Sequence, residues 1–132
     1  MSMITSAYAN RARPQTSFEV YSWFFMRVSG VVLLVMVLGH VAIMHVINSV
    51  DTISYWWVAE RLATPFWRTY DWIVLVLALL HGMNGMRWVV DDHVHSRGWR
   101  TFSMAALWVI AFIFLALGSL VLFTFTPVPR PA

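Results

Sequence analysis

The side chains that could do chemistry in this sequence are concentrated in one short stretch. His81, Arg87, Asp91, Asp92 and His93 stand at the end of a segment that is otherwise almost entirely apolar. Ionisable groups are costly inside a bilayer, so those found in such a segment are candidates for function. The stretch therefore predicts a binding site within or at the edge of a membrane.

Helical spacing gathers part of this stretch on one side. At about 100° per residue, His81, Gly85, Trp88 and Asp92 share a helix face, and Gly82 and Gly85 remove side-chain bulk beside the histidine. Asp92 lies roughly 16 Å along the axis from His81. With Asp92 at a membrane surface, His81 would stand near the middle of a core about 30 Å thick. A buried imidazole with open space before it is what an axial haem ligand requires.

The first apolar segment contributes Arg27 and His40. Arg27 is interpreted either as a snorkelling arginine at the membrane edge or as a ligand for an anion such as a haem propionate, or for a quinone carbonyl. His40 lies about 20 Å from Arg27 along the axis, which would give it a depth similar to that of His81. It is therefore either a second axial ligand or a buried histidine bonded to a neighbour on the next helix.

The other polar groups of the stretch have structural alternatives. Arg87 and Asp91 are spaced i, i+4 and are expected to pair with each other. Asp92 and His93 form either an ordinary helix terminus or part of a site, and His95 is expected to be a solvated loop residue.

Composition decides the class of protein. Of 132 residues, 60% are hydrophobic and 11% are charged, whereas a soluble domain has about 25% charged residues. The chain has no cysteine, which excludes thiolate-bound iron–sulfur clusters, zinc–thiolate sites and disulfides. The net charge of +3 comes from arginines that flank the apolar segments, so no nucleic-acid partner is predicted. The pattern indicates an integral membrane protein without a cleavable signal peptide.

The elements that position these residues are three predicted transmembrane helices in an all-α fold. The predicted spans cover about residues 20–47, 66–93 and 101–126, with tails at 1–17 and 127–132. Thr64 and Pro65 are expected to start the second helix. Residues 94–100 form a short polar loop, which makes the second and third spans antiparallel neighbours. The aromatic residues at 55–57 indicate a segment at the membrane interface.

Arginines set the expected orientation. One side carries Arg11, Arg13, Arg27, Arg87, Arg97 and Arg100, and the other carries Arg61, Arg68 and Arg130. This asymmetry predicts a cytoplasmic N-terminus and a C-terminus outside.

Two motifs resemble a known family. Arg27-x-Ser29-Gly30 at the start of the first span and His81-x3-Gly85-x-Arg87-x4-Asp92 at the end of the second are similar to the small cytochrome b membrane-anchor subunit of succinate dehydrogenase (succinate:quinone oxidoreductase, respiratory complex II). The resemblance covers about residues 18–126 and is nearest to bacterial enzymes with two separate anchor chains. It implies the bacterial inner (plasma) membrane and a place in a heteromeric helix bundle with a second cytochrome b anchor subunit, an iron–sulfur subunit and a flavoprotein subunit.

The resemblance also implies roles for individual residues. His81 would be an axial ligand of haem b, with the second histidine supplied by the other anchor. Arg27 would lie near the haem propionates and the quinone, which is ubiquinone or menaquinone. Asp92 would belong to the quinone site, and His93 stands where the family has a tyrosine that hydrogen-bonds the quinone. Met26 replaces a histidine that the larger anchor usually has, which favours the smaller anchor.

The expected function is therefore to hold haem b and to help form the site where quinone receives electrons from the iron–sulfur subunit. The chain would do no succinate chemistry itself, because it has no flavin fold or cluster ligands. Three alternatives stay open: the anchor of a fumarate reductase, a haem-free anchor, and a non-redox membrane protein. A haem held by both His81 and His40 is disfavoured, because it would force apart neighbouring helices that normally pack 8–10 Å apart.

Overall fold

The computed structural model describes residues 17–126, which are helical apart from short connections. The helices are α1 (Ser17–Val41), α2 (Tyr55–Ala63), α3 (Pro65–His93) and α4 (Arg97–Thr124), with a π-helical turn at Ala42–Ile47 and a 3-10 turn at Val50–Thr52. The segments Ser17–Ile47, Pro65–His93 and Arg97–Thr124 are long and apolar enough to cross a membrane. The predicted all-α membrane fold is confirmed. The predicted tails at 1–17 and 127–132 lie outside the described residues, except Ser17, which begins α1.

The helix ends follow from local chemistry. Asn48 ends the π-helical turn, because its side-chain amide and its backbone N–H both donate to the Ile43 carbonyl, at 2.7 and 3.2 Å. Pro65 begins α3 directly after Thr64, as its fixed φ and missing N–H favour. Helix α4 begins at Arg97, four residues before the predicted start of the third span, so the connection from α3 is only Val94–Ser96. The short connection makes α3 and α4 antiparallel neighbours, as predicted.

Helix α3 is the centre of the bundle, since α1, α2 and α4 all pack against it. Gly118 lets α4 come close, because a Cβ there would lie 2.5 Å from Leu75 Cδ2. The Trp72 indole N–H donates to Ser119 Oγ at 3.0 Å, which adds a hydrogen bond across the same contact between α3 and α4. In contrast, most large apolar side chains are exposed, as expected for helices that contact lipid or other subunits.

Two arginines connect the helices at the end of the bundle where α2 packs. The Arg61 guanidinium lies 3.0 Å from Asp71 Oδ1 on α3 and 4.1 Å from the centroid of the Trp67 ring. Arg68 donates to the Leu62 carbonyl and, at 3.0 Å, to the Phe125 carbonyl at the end of α4. These contacts fix α2 and the last turn of α4 to the start of α3.

Candidate functional site

The contact between His81 and Ser29 joins α3 to α1. Ser29 Oγ lies 2.9 Å from His81 Nδ1 and 3.5 Å from the Met26 carbonyl oxygen, and Ser29 is only 3% exposed. A hydroxyl has one proton to donate. Either that proton is donated to Nδ1 at 2.9 Å, or Ser29 Oγ accepts a hydrogen bond from Nδ1–H. Only in the second arrangement does Nε2 keep the lone pair that a metal ion needs.

Glycines allow the two helices to meet at this point. A Cβ on Gly30 would lie 3.4 Å from His81 Cε1, and a Cβ on Gly85 would lie 3.7 Å from Met26 Cε. Small residues at a helix crossing let the backbones approach closely. A Cβ on Gly82, next to His81, would meet nothing within 4 Å. The position of Gly82 is therefore open, whereas the position of Gly85 is in contact with Met26.

Arg27 lies in a cleft that runs along the same seam between α1 and α3. The cleft has a volume of about 370 Å³. Its lining residues are Trp23, Met26, Arg27, Gly85 and Trp88. The Arg27 guanidinium stacks over the Trp23 ring, 4.2 Å from its centroid, a cation–π contact. Arg27 and two members of the predicted His81 face, Gly85 and Trp88, are thus brought together.

The cleft relates Arg27 to the residues of α3. Its two α3 residues, Gly85 and Trp88, lie four and seven residues from His81 and seven and four residues from Asp92. At 1.5 Å per residue, Arg27 therefore lies between the levels of His81 and Asp92, roughly 6–10 Å from each along the axis. Its place at the membrane edge stays a prediction.

His40 lies at a different level from His81, and the expectation of similar depth is wrong. His40 Nδ1 is 3.5 Å from Asp71 Oδ1, ten residues before His81 on α3, which separates the two histidines by roughly 15 Å along the axis. The expectation placed Arg27 and Asp92 near one surface, whereas α1 is displaced along α3. His40 has Asp71 as its neighbour on the next helix, but at 3.5 Å Nδ1 makes no hydrogen bond within the described chain.

Asp92 and His93 lie at the exposed end of α3. His93 Nδ1 is 3.0 Å from the Val89 carbonyl oxygen of its own helix. Neither residue belongs to the lining of the cleft that holds Arg27. Their role toward a quinone stays a prediction.

The expected pair between Arg87 and Asp91 is wrong. Asp91 pairs with Arg100 across the short connection, 2.6 Å from its guanidinium. Arg87 instead donates to Ser22 Oγ on α1 at 3.3 Å. The neighbouring helices offer both residues closer partners than the next turn of α3 does.

Several polar residues at the helix contacts were given no role from the sequence, and Ser29 was noted only as part of a motif. Ser22 Oγ donates to Asn84 Oδ1 at 2.9 Å, and Ser29 contacts His81. Ser22 and Ser29 are seven residues apart and therefore share a helix face. This spacing of buried serines was a signal that α1 turns that face toward α3. The pair of Arg61 and Asp71 had no comparable signal, because it depends on how α2 folds back.

Residues 1–118 match the model of the succinate dehydrogenase/fumarate reductase transmembrane subunit family. No curated protein sequence matches the chain.

Proposed function

This chain belongs to the family of succinate dehydrogenase/fumarate reductase transmembrane subunits, and we propose that within such a complex it binds haem b through His81 and forms part of a quinone site at Arg27. The family resemblance seen in the motifs is thereby confirmed, and the chain is a multi-pass membrane subunit of that class of enzyme complex. The same residues serve electron flow toward quinone from succinate and in the reverse direction.

The contact between Ser29 and His81 carries the haem proposal. Histidines that bind a metal almost always donate their other ring N–H to a fixed acceptor, which sets the tautomer and the ring plane. Ser29 Oγ, 2.9 Å from Nδ1, would be that acceptor, and the position of Gly82 on α3 is open. These residues fit a haem, which when bound supplies one-electron transfer. Arg27, in the cleft with Gly85 and Trp88 one to two helical turns from His81, would pair with a propionate.

We propose that the second axial histidine comes from a partner anchor subunit. His40 is the nearest alternative within the membrane segments, but it lies roughly 15 Å from His81 along the axis. Two nitrogens on opposite faces of one iron must lie at the same level. The open face around Gly82 and the cleft at Arg27 are then the surfaces on which the partner packs.

The cleft at Arg27 supports the quinone part of the proposal. Trp23 and Trp88 give it flat apolar walls, and the guanidinium can donate to a quinone carbonyl. Such a donor stabilises the negative charge that develops as the quinone is reduced. Asp92 and His93, at the end of α3 predicted to be cytoplasmic, would relay protons between the aqueous phase and this cleft.

Ser29→Ala is expected to weaken haem binding in the assembled complex by about 10- to 100-fold, the usual effect of removing a partner of a metal-binding histidine. The loss of the acceptor frees His81 to change its ring plane and tautomer. The measurement is the reduced-minus-oxidised b-type absorbance per flavin, together with the low-temperature EPR g-values of the oxidised haem. Ser29→Thr, which keeps the hydroxyl, is the matched control and should retain most of the signal. Unchanged haem content and g-values in Ser29→Ala would show that the contact does not orient a ligand.

His93→Ala is expected to lower the rate of quinone reduction by about 10²-fold, the lower end of the range for a lost proton-transfer group. Succinate oxidation with an artificial acceptor should stay near the wild-type rate, because that assay bypasses the quinone. His95→Ala is the matched control, since His95 is exposed in the connection after α3. A parallel fall of both activities in His93→Ala would indicate a structural role and contradict the proton relay.

A further inference from the structure

A second cleft opens between the ends of α3 and α4 that adjoin the short connection. It has a volume of about 680 Å³. Its lining residues are Arg87, Asp91, Arg97, Arg100, Thr101, Met104, Ala105 and Trp108. It shares no residue with the cleft at Arg27, so it is a separate feature of the molecule.

The charge of this cleft is positive. Asp91 and Arg100 neutralise each other at 2.6 Å. Within residues 17–126, no carboxylate lies within ion-pair distance of Arg87 or Arg97. The Nε atom of Arg87 is buried and donates to no acceptor in the described chain. Two uncompensated guanidinium groups, one with an unmet donor, favour an anion, and the guanidinium fork matches phosphate oxygens.

The basic cleft continues into an apolar cavity of about 80 Å³. The two share Arg87, Met104 and Trp108. Beyond these, the cavity is lined by Phe18, Leu80, Met83, Asn84 and Leu107. The ligand that fits this combination has an anionic head at the helix ends and an apolar tail along the helices. A free phosphate would leave the apolar part unused, and a quinone would leave the charge of Arg87 and Arg97 unmet.

We propose that this cleft binds an anionic phospholipid, with its phosphate between Arg87 and Arg97 and an acyl chain in the groove at Met104 and Trp108. The cleft lies on the side predicted to be cytoplasmic, where membranes carry their anionic lipids. Basic pockets between transmembrane helices on that side are general sites for such lipids. The lipid would fill the groove between α3 and α4 and link their ends in addition to the pair of Asp91 and Arg100.

The test is lipid binding to the purified, delipidated complex, measured by native mass spectrometry. The probes are phosphatidylglycerol and phosphatidylcholine with identical acyl chains, and the variants are Arg97→Gln and Arg97→Lys. Arg97 is exposed, so its replacement should leave assembly intact. We expect phosphatidylglycerol to bind more tightly than phosphatidylcholine. Arg97→Gln should weaken phosphatidylglycerol binding roughly fivefold, the contribution of one arginine near a charged lipid surface. Arg97→Lys, which keeps the positive charge, should restore that binding.

Three results would overturn the proposal. Equal binding of the two lipids would mean that only the apolar groove is recognised. Displacement of phosphatidylglycerol by millimolar inorganic phosphate would indicate a free-anion site. Identical lipid affinity of wild type and Arg97→Gln would place the bound lipid elsewhere on the complex. The haem spectrum is read from the same samples and should not change in any of them, which separates this test from that of the haem site.

Discussion

His81→Ala is expected to abolish the low-spin b-type spectrum of the assembled complex, whereas His40→Ala should leave that spectrum nearly unchanged. The prediction follows from the levels of the two histidines. His81 contacts Ser29 on α1, and His40 lies beside Asp71 on α3. The two histidines are therefore roughly 15 Å apart along the helix axis. Only one of them can bind a given iron, and we expect it to be His81, whose Nδ1 lies 2.9 Å from Ser29 Oγ. The measurement is a reduced-minus-oxidised spectrum of each complex, normalised to flavin.

Added imidazole separates a ligand role of His81 from a structural one. If His81 binds the iron, the space left in His81→Ala can admit imidazole and the spectrum should return in part. If His81 only supports packing, imidazole should restore nothing. Loss of the haem signal in His40→Ala, with the complex still assembled, would overturn the assignment. A full haem signal in His81→Ala would show that other residues hold the haem, whereas a wild-type complex without b-type absorbance would favour the haem-free alternative.

The elements of the fold could be predicted because they depend on local properties of the chain. Long apolar runs predict membrane helices whatever their neighbours are, and Pro65 marks a helix start through its own geometry. The short connection at Val94–Ser96 makes α3 and α4 antiparallel. These features need no knowledge of which residue lies opposite which.

The positions of side chains across the helix contacts could be predicted only in part. The predicted depth of His40 was wrong because it depended on the axial offset between α1 and α3. In the structure, this offset is set by the contact of Ser29 with His81 and by the hydrogen bond from Tyr70 to the Met36 carbonyl. Arg87 contacts Ser22 and not Asp91, and this partner also depends on how α1 lies against α3. Gly85 and Trp88 line the same cleft, as their predicted common helix face implies, because helical periodicity alone defines that face.

The pairing of Asp71 with Arg61 could not be predicted from helical periodicity. Replacement of Asp71 gives the second large expected effect, a loss of stability. Asp71 is the only carboxylate paired with Arg61 among the described residues, and the Arg61 side chain is only 7% exposed. Asp71→Asn is expected to lower the free energy of unfolding by about 3–5 kcal/mol, because it leaves a buried guanidinium without its counter-charge. Thermal denaturation of the complex measures the loss. Asp51→Asn is the matched control, since Asp51 is exposed and, within residues 17–126, bonds only to Ser49.

A double replacement distinguishes an ion pair that holds the fold from a carboxylate with another task. Arg61→Met combined with Asp71→Leu removes both charges and keeps apolar volume, and such replacements are often neutral or stabilising. The double variant should therefore recover most of the stability lost in Asp71→Asn. If it is as unstable as the single variant, the contacts of Asp71 with His40, and not its pair with Arg61, hold the start of α3. If it regains stability but the complex loses quinone reduction, the charged pair of Arg61 and Asp71 serves that reaction, because packing of α2 on α3 would then be intact.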